Sequence, residues 1–179
     1  MNRRVCIGIS ALAGIAILGA AARADDAQTV AAAKQVAGLF MQSCIQFAGD
    51  KKGLRDWAKK TGLKELPADV QEHFLYGLPG VVFDASTRAG KFVLISEEGG
   101  SCSALAEMAI GAVVISDLEK DMNEAKIAFK VTAEKGDAEE KALRHREYQA
   151  SQGQREWLLL VSIVKDPTGG QAMLTANRY

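Results

Sequence analysis

Apolar residues recur every three or four positions over residues 27–48, and this spacing predicts a helix. Val36, Phe40 and Cys44 fall on its apolar face, so this face should pack against the body of the protein. Gly49 suits the left-handed conformation that ends many helices. The pattern therefore predicts one amphipathic helix that carries Cys44 near its end.

Two shorter helices are expected before the first strand. Asp50 can cap a helix that ends near Gly62, and Pro67 suits the first turn of another that ends near Gly77. The next residues, 78–80, read Leu-Pro-Gly and fit a type II turn in which the glycine takes a positive φ. Three helices are thus predicted ahead of the sheet.

The hydrophobic period changes to two after residue 80, which is typical of strands. Strands are predicted over residues 81–86 and 91–96, from about 101 onward, and over 127–132, 140–149, 157–164 and 172–177. The short turns between neighbouring strands require antiparallel pairing. We therefore expect a single α+β domain over residues 25–179, with N-terminal helices packed on a mainly antiparallel sheet of about six to seven strands.

One segment of this pattern has two interpretations. Residues 109–125 have helical spacing, but Ser116 and Glu119 form a capping-box pattern that could start a helix later in the chain. In that case residues 113–115 would be extended. The sequence leaves open whether residues 109–116 are helix or strand.

The first 24 residues have the organisation of a cleavable signal peptide. Arg3 and Arg4 precede an apolar stretch over residues 5–20, and Ala22 and Ala24 are the small residues of a cleavage site. We expect cleavage after Ala24. The stretch is shorter than the ~20 residues that cross a bilayer, which disfavours a retained membrane anchor. The mature protein, with no transmembrane segment, is therefore expected in the periplasm or outside the cell.

The charge balance argues against one class of partner. The chain has 22 basic and 22 acidic residues, and removal of the leader takes three arginines and no acid. The mature chain then has 19 basic and 22 acidic residues, a net charge of about −3. Because nucleic-acid binding depends on neutralising many phosphates, no nucleic acid is expected as a partner.

Cys44 and Cys102 remain in the chain after the leader is removed. One intrachain pairing is open to them, and an oxidising compartment favours it. A disulfide that closes a loop of this length should stabilise the fold by about 4 kcal/mol. The alternative is a pair of buried free thiols.

Candidate chemistry is sparse in this sequence. The sharpest catalytic hypothesis is a thiol-dependent envelope hydrolase, with Cys102 as the nucleophile and His145 as its base. The sequence offers no identifiable third group to orient that base. His73 has no second histidine four residues later, so no metal site is predicted, and no cofactor motif is found.

The second predicted helix has a cationic face opposite Leu54 and Trp57, and this face is a candidate interaction surface. Helices of this format lie on anionic membranes, although a solvated helix face explains the same residues. The cationic residues are Lys51, Lys52, Arg55, Lys59 and Lys60.

Three short segments carry a resemblance to a group of proteins. They are Phe40-Met41-Gln42-Ser43-Cys44, Gly80-Val81-Val82-Phe83 and Gly99-Gly100-Ser101-Cys102-Ser103. In these segments the chain resembles small exported proteobacterial proteins of uncharacterised function, over most of residues 36–179. The resemblance implies periplasmic residence and a Cys44–Cys102 pair, and it supplies no catalytic or binding residues.

Together these features favour a non-enzymatic periplasmic protein that binds a partner protein or a component of the cell envelope. Inhibitors and immunity proteins are specialised forms of this class. The alternative from another class is the hydrolase that would use Cys102 and His145.

Overall fold

A computed structural model describes residues 18–136, 143–164 and 170–178, with side chains from Ala27 onward. The helices are α1 (Leu18–Phe40), α2 (Lys51–Lys60), α3 (Ala68–Leu75) and α4 (Gly111–Glu124). The strands are β1 (Lys64–Glu65), β2 (Gly80–Asp84), β3 (Phe92–Glu97), β4 (Cys102–Ala109), β5 (Ala128–Gly136), β6 (Leu143–Gln152), β7 (Arg155–Val164) and β8 (Gly170–Arg178).

Most of the predicted leader, including Arg3 and Arg4, lies outside the described residues. The predicted cleavage after Ala24 falls inside α1, so the mature helix would begin at Asp25. Within the part of the chain that the structure describes, no helix is both long and apolar enough to cross a membrane.

The described strands form one antiparallel sheet in the order β1-β2-β3-β4-β8-β7-β6-β5. The α+β class is confirmed, but the expected six to seven strands are a miscount because the sheet has eight. The strand that the sequence did not predict is β1, in which Lys64 and Glu65 pair with Asp84 and Phe83. Two consecutive charged residues show no alternation, so nothing in the pattern marks them as a strand.

The helix predictions hold except at their ends. Asp50 caps α2 as expected, because its carboxylate accepts a hydrogen bond from the Gly53 amide at 2.9 Å. The ambiguous segment is helical from Gly111 onward, so the Ser116 capping-box pattern does not start α4. Val114 and Leu118 are both fully buried and lie one turn apart, which carries the apolar face straight through Ser116.

The turn before β2 differs from the prediction. Gly80 has no positive φ; the left-handed residues are Tyr76 (φ 49°) and Gly77 (φ 81°), directly after α3. Glycine is required at position 80 for another reason. A Cβ there would lie 2.7 Å from Leu75 Cδ2 and 2.9 Å from the Ser96 carbonyl oxygen.

The sheet has two faces with different surroundings. The core face carries Phe92, Leu94 and Leu159, and α1, α2 and α4 supply buried residues to the same apolar cluster. On the other side, which we call the outer face, α3 packs over β2 and β3 through a small cluster of Leu75, Val82 and Ile95. Many outer-face residues on the neighbouring strands are half-buried, among them Leu105, His145, Leu160, Ser162 and Met173.

Candidate functional site

The predicted disulfide is present. Cys44 and Cys102 are joined, with their Cα atoms 5.1 Å apart, and both side chains are buried. Cys44 lies in a π-helical turn, Met41–Ile45, that continues α1, and Cys102 begins β4. Beside them the Gly49 amide donates to the Gly100 carbonyl at 3.1 Å. The bond therefore fastens the end of the first helix to the middle of the sheet.

The structure does not bring Cys102 and His145 together. The register relates Cys102 to Ala176, Ala176 to Leu159 and Leu159 to Tyr148, all on the core face. His145 is three residues from Tyr148 on the same strand, so its side chain lies on the outer face. With its sulfur in the disulfide, Cys102 also has no thiolate to offer as a nucleophile.

The cationic residues of α2 are partly neutralised within the fold. Lys51 and Arg55 both form ion pairs with Glu98, the latter at 2.7 Å, and Lys52 pairs with Asp56 at 2.6 Å. These lysine and arginine hydrogen bonds lower the pKa of the Glu98 carboxyl. Arg55 also donates to the Ser96 carbonyl at 3.1 Å. Much of this surface thus attaches α2 to the turn before β4, and Lys59 and Lys60 remain exposed at its far end.

A cavity of about 380 Å³ lies where the end of α3 meets the outer face. Sites for small ligands usually occupy roughly 300–1,000 Å³ and are mostly apolar with a few polar groups. This cavity has that composition. Its lining residues are His73, Phe74, Tyr76, Ile95, Leu105, Leu143, His145, Ser162, Val164, Gln171 and Met173.

Three polar residues of the cavity come from the adjacent strands β6, β7 and β8, and His73 and Tyr76 come from the end of α3. His145 Nδ1 lies 2.9 Å from Ser162 Oγ, and Gln171 lies on β8 beside them. If the hydroxyl donates to Nδ1, the other ring nitrogen carries a proton; if Nδ1 donates, the hydroxyl proton is free. In either tautomer the pair keeps one donor for a ligand.

Both histidines of the protein line this cavity, although they are far apart in the sequence. Sequence spacing could not reveal this, because α3 and β6 meet only through the fold. Across the described ranges, no group of three or more His, Cys, Asp or Glu side chains is suited to hold a metal ion.

Tyr76 stands at the rim of the cavity in a strained conformation. Its φ of 49° is left-handed, and 88% of its side chain is exposed. A residue with a Cβ pays roughly 1–2 kcal/mol for this conformation, and glycine usually occupies such a position after a helix. Tyrosine is one of the residues enriched among those that dominate the energy of binding interfaces.

The strongest cluster of charged groups lies elsewhere, on the core face between α4 and β6. Glu119 accepts hydrogen bonds from Tyr148 Oη at 2.9 Å and from Arg146 at 3.0 Å, and Arg146 also donates to Glu134 at 2.9 Å. Burial raises the pKa of Tyr148, and the bond to Glu134 raises the pKa of Arg146. Both groups stay protonated at neutral pH, so the cluster holds α4 on the sheet rather than supplying a base.

Comparison with protein-family models, curated proteins and solved structures gave no match to this chain.

Proposed function

We propose that this chain is a non-enzymatic binding protein of the periplasm, exported by the leader over residues 1–24 and cleaved after Ala24. Its binding site is the cavity between α3 and the outer face, and its ligand is a component of the cell envelope. The observation that carries the proposal is the composition of this cavity: half-buried apolar side chains surround the hydrogen-bonding pair His145 and Ser162.

The conformation of Tyr76 supports the same conclusion. Proteins keep a strained residue when function depends on it, and this one lies at the mouth of the cavity with its ring in solvent. The disulfide supports residence outside the cytoplasm, where such bonds persist. It also disfavours the hydrolase, because the proposed nucleophile Cys102 is bonded and lies on the opposite face from His145.

Native mass spectrometry of residues 25–179, mixed with a solvent extract of bacterial envelopes, tests this proposal. We expect a bound species with the unaltered protein and its loss with Leu105→Asn, which puts an amide into the cavity. The matched control is Leu158→Asn, since Leu158 is also half-buried on the outer face but does not line the cavity. Equal binding by both variants, or none by the unaltered protein, contradicts the assignment of the site.

Export is tested separately. The protein expressed with its leader should be recovered from the periplasmic fraction with Asp25 as its first residue. Retention in the cytoplasm, or in the membrane at full length, would contradict the proposed location.

A further inference from the structure

One cross-strand row of the outer face changes from cationic to apolar along its length. The register pairs Lys135 with His145, His145 with Ser162, Ser162 with Met173 and Met173 with Leu105. The row therefore reads Lys-His-Ser-Met-Leu across the strands β5, β6, β7, β8 and β4. Adjacent strands are spaced at about 4.8 Å, so the row spans about 19 Å from end to end.

The apolar end of the row leads under α3. Leu105 pairs with Val93, and Val93 and Phe74 both pack against the small apolar cluster beneath that helix. Leu105, Met173 and Phe74 are all half-buried and line the cavity. This end offers a continuous apolar floor and wall, with no charged side chain among the lining residues.

The other end of the row offers donors and a positive charge. His145 and Ser162 present one donor in either tautomer, as described above, and Lys135 lies directly opposite His145 on the next strand. Lys135 is exposed and has no ion-pair partner within the described residues. The strand of His145, β6, also carries Glu147 on the outer face. This carboxylate lies one row away, where it pairs with Leu160, and it does not line the cavity.

We propose that the cavity binds a free medium-chain fatty acid. Its carboxylate lies at His145 and Ser162 beside Lys135, and its hydrocarbon chain runs over Met173 and Leu105 towards Phe74. A carboxylate accepts hydrogen bonds without donating any, which matches a set of donors. A cationic head group would be repelled by Lys135, and the lining has no carboxylate to pair with it. The volume of about 380 Å³ suits one such chain rather than a lipid with two. This inference rests on the proposed binding function and names its ligand.

Methionine methyl groups give a direct test with the unaltered protein. Residues 25–179 contain Met41, Met108, Met122 and Met173, so a sample with ¹³C-labelled methionine methyl groups should show four signals. Titration with decanoate, kept below the concentration at which it forms micelles, should shift the Met173 signal and leave that of the buried Met122 in place. A titration that leaves Met173 unchanged, or shifts all four signals alike, overturns the inference.

Three other probes test the head group and the source of the chain. Decylamine and 1-decanol should bind at least about tenfold more weakly than decanoate, the factor expected when a hydrogen bond to a charged group is lost. Phosphatidylglycerol vesicles should give no shift of Met173. Equal binding of the alcohol overturns the carboxylate assignment, and a shift with vesicles overturns the choice of a free acid in favour of a membrane surface.

Variants of the row complete the test. The double variant His145→Phe/Ser162→Ala, which removes both donors of the pair, should weaken decanoate binding by about tenfold, and Lys135→Gln should weaken it severalfold, an effect that added salt reduces. Lys130→Gln is the matched control, because Lys130 lies on the same strand and face but pairs with Gln149 in another row. Unchanged affinity in His145→Phe/Ser162→Ala and in Lys135→Gln, or an equal loss in Lys130→Gln, contradicts the inference.

The two proposals fail in distinguishable ways. The fatty-acid inference is refuted alone if decanoate does not bind but an envelope extract still yields a bound species that Leu105→Asn abolishes. In that case the proposed binding function stands. The absence of any bound species refutes both.

Discussion

The Cys44–Cys102 bond should carry a large share of the stability of this fold. We consider its reduction in the otherwise unaltered mature chain. The bond links residues separated by 58 positions. In the chain-entropy description, removing a cross-link over a loop of that length destabilises the folded state by about 4 kcal/mol, because the reduced unfolded chain gains freedom. Small domains have total stabilities of only about 5–15 kcal/mol.

Urea unfolding followed by circular dichroism measures this effect. With a denaturant dependence of about 2 kcal/mol per molar urea, the unfolding midpoint of the reduced chain should fall by about 2 M. The reduced thiols fill nearly the same buried space, so this comparison isolates the cross-link. The double variant Cys44→Ala/Cys102→Ala should have a free energy of unfolding lower than that of the reduced chain by on the order of 1 kcal/mol, because the substitutions also leave a cavity in the core.

The result that would refute this reasoning is a reduced chain whose midpoint lies within about 0.5 M of the oxidised one. Thiol titration of the unfolded protein before reduction is the control. Two reactive thiols at that stage would mean that the bond had not formed.

Three further predictions concern other parts of the fold. Gly111→Ala should lower the free energy of unfolding by about 1–3 kcal/mol, because the new Cβ would lie 2.5 Å from Ile163 Cγ2. The control is Gly99→Ala, where a Cβ meets nothing within 4 Å and the free energy should change little. Equal effects of the two variants in chemical denaturation would contradict this. Asp50→Ala should cost about 1 kcal/mol through loss of the α2 cap, and Asp50→Asn should restore most of it in the same assay. The lysine and arginine partners of Glu98 hold the pKa of its carboxyl below the value in the unfolded chain. The ionised carboxylate therefore stabilises the fold at pH values above the unfolded pKa, near 4.3. This stabilisation is lost as the pH falls through the folded pKa. Glu98→Gln should accordingly flatten the dependence of the urea midpoint on pH between about 5 and 2, and unchanged curvature would contradict that assignment.

The elements that the sequence predicted well are those with a strong period. The buried face of α1 and the apolar–polar alternation at the start of β5 each repeat over several residues, so single exceptions do not hide them. β1 was missed because two residues carry no period. Gly80 was assigned a positive φ because Pro-Gly is a common turn pair, whereas packing against Leu75 and Ser96 requires glycine there.

The cavity could not be predicted from the sequence. Its side chains come from one helix and five strands, and they meet only because β8 inserts between β4 and β7. The apolar outer residues of β7 include Leu158 and Leu160, which are half-buried. Hydrophobicity alone does not distinguish a half-buried face of a sheet from a packed core.

The order of the strands has a consequence for how the molecule must assemble. β8, the central link of the sheet, follows every other strand in the chain, and Ser103 on β4 meets Thr175 on β8 across 72 residues. Until β8 arrives, β4 and β7 each expose an unpaired edge, which in β-proteins invites pairing with other chains. Both halves of the sheet therefore keep an open edge until β8, the last strand that the structure describes, has paired with β4 and β7.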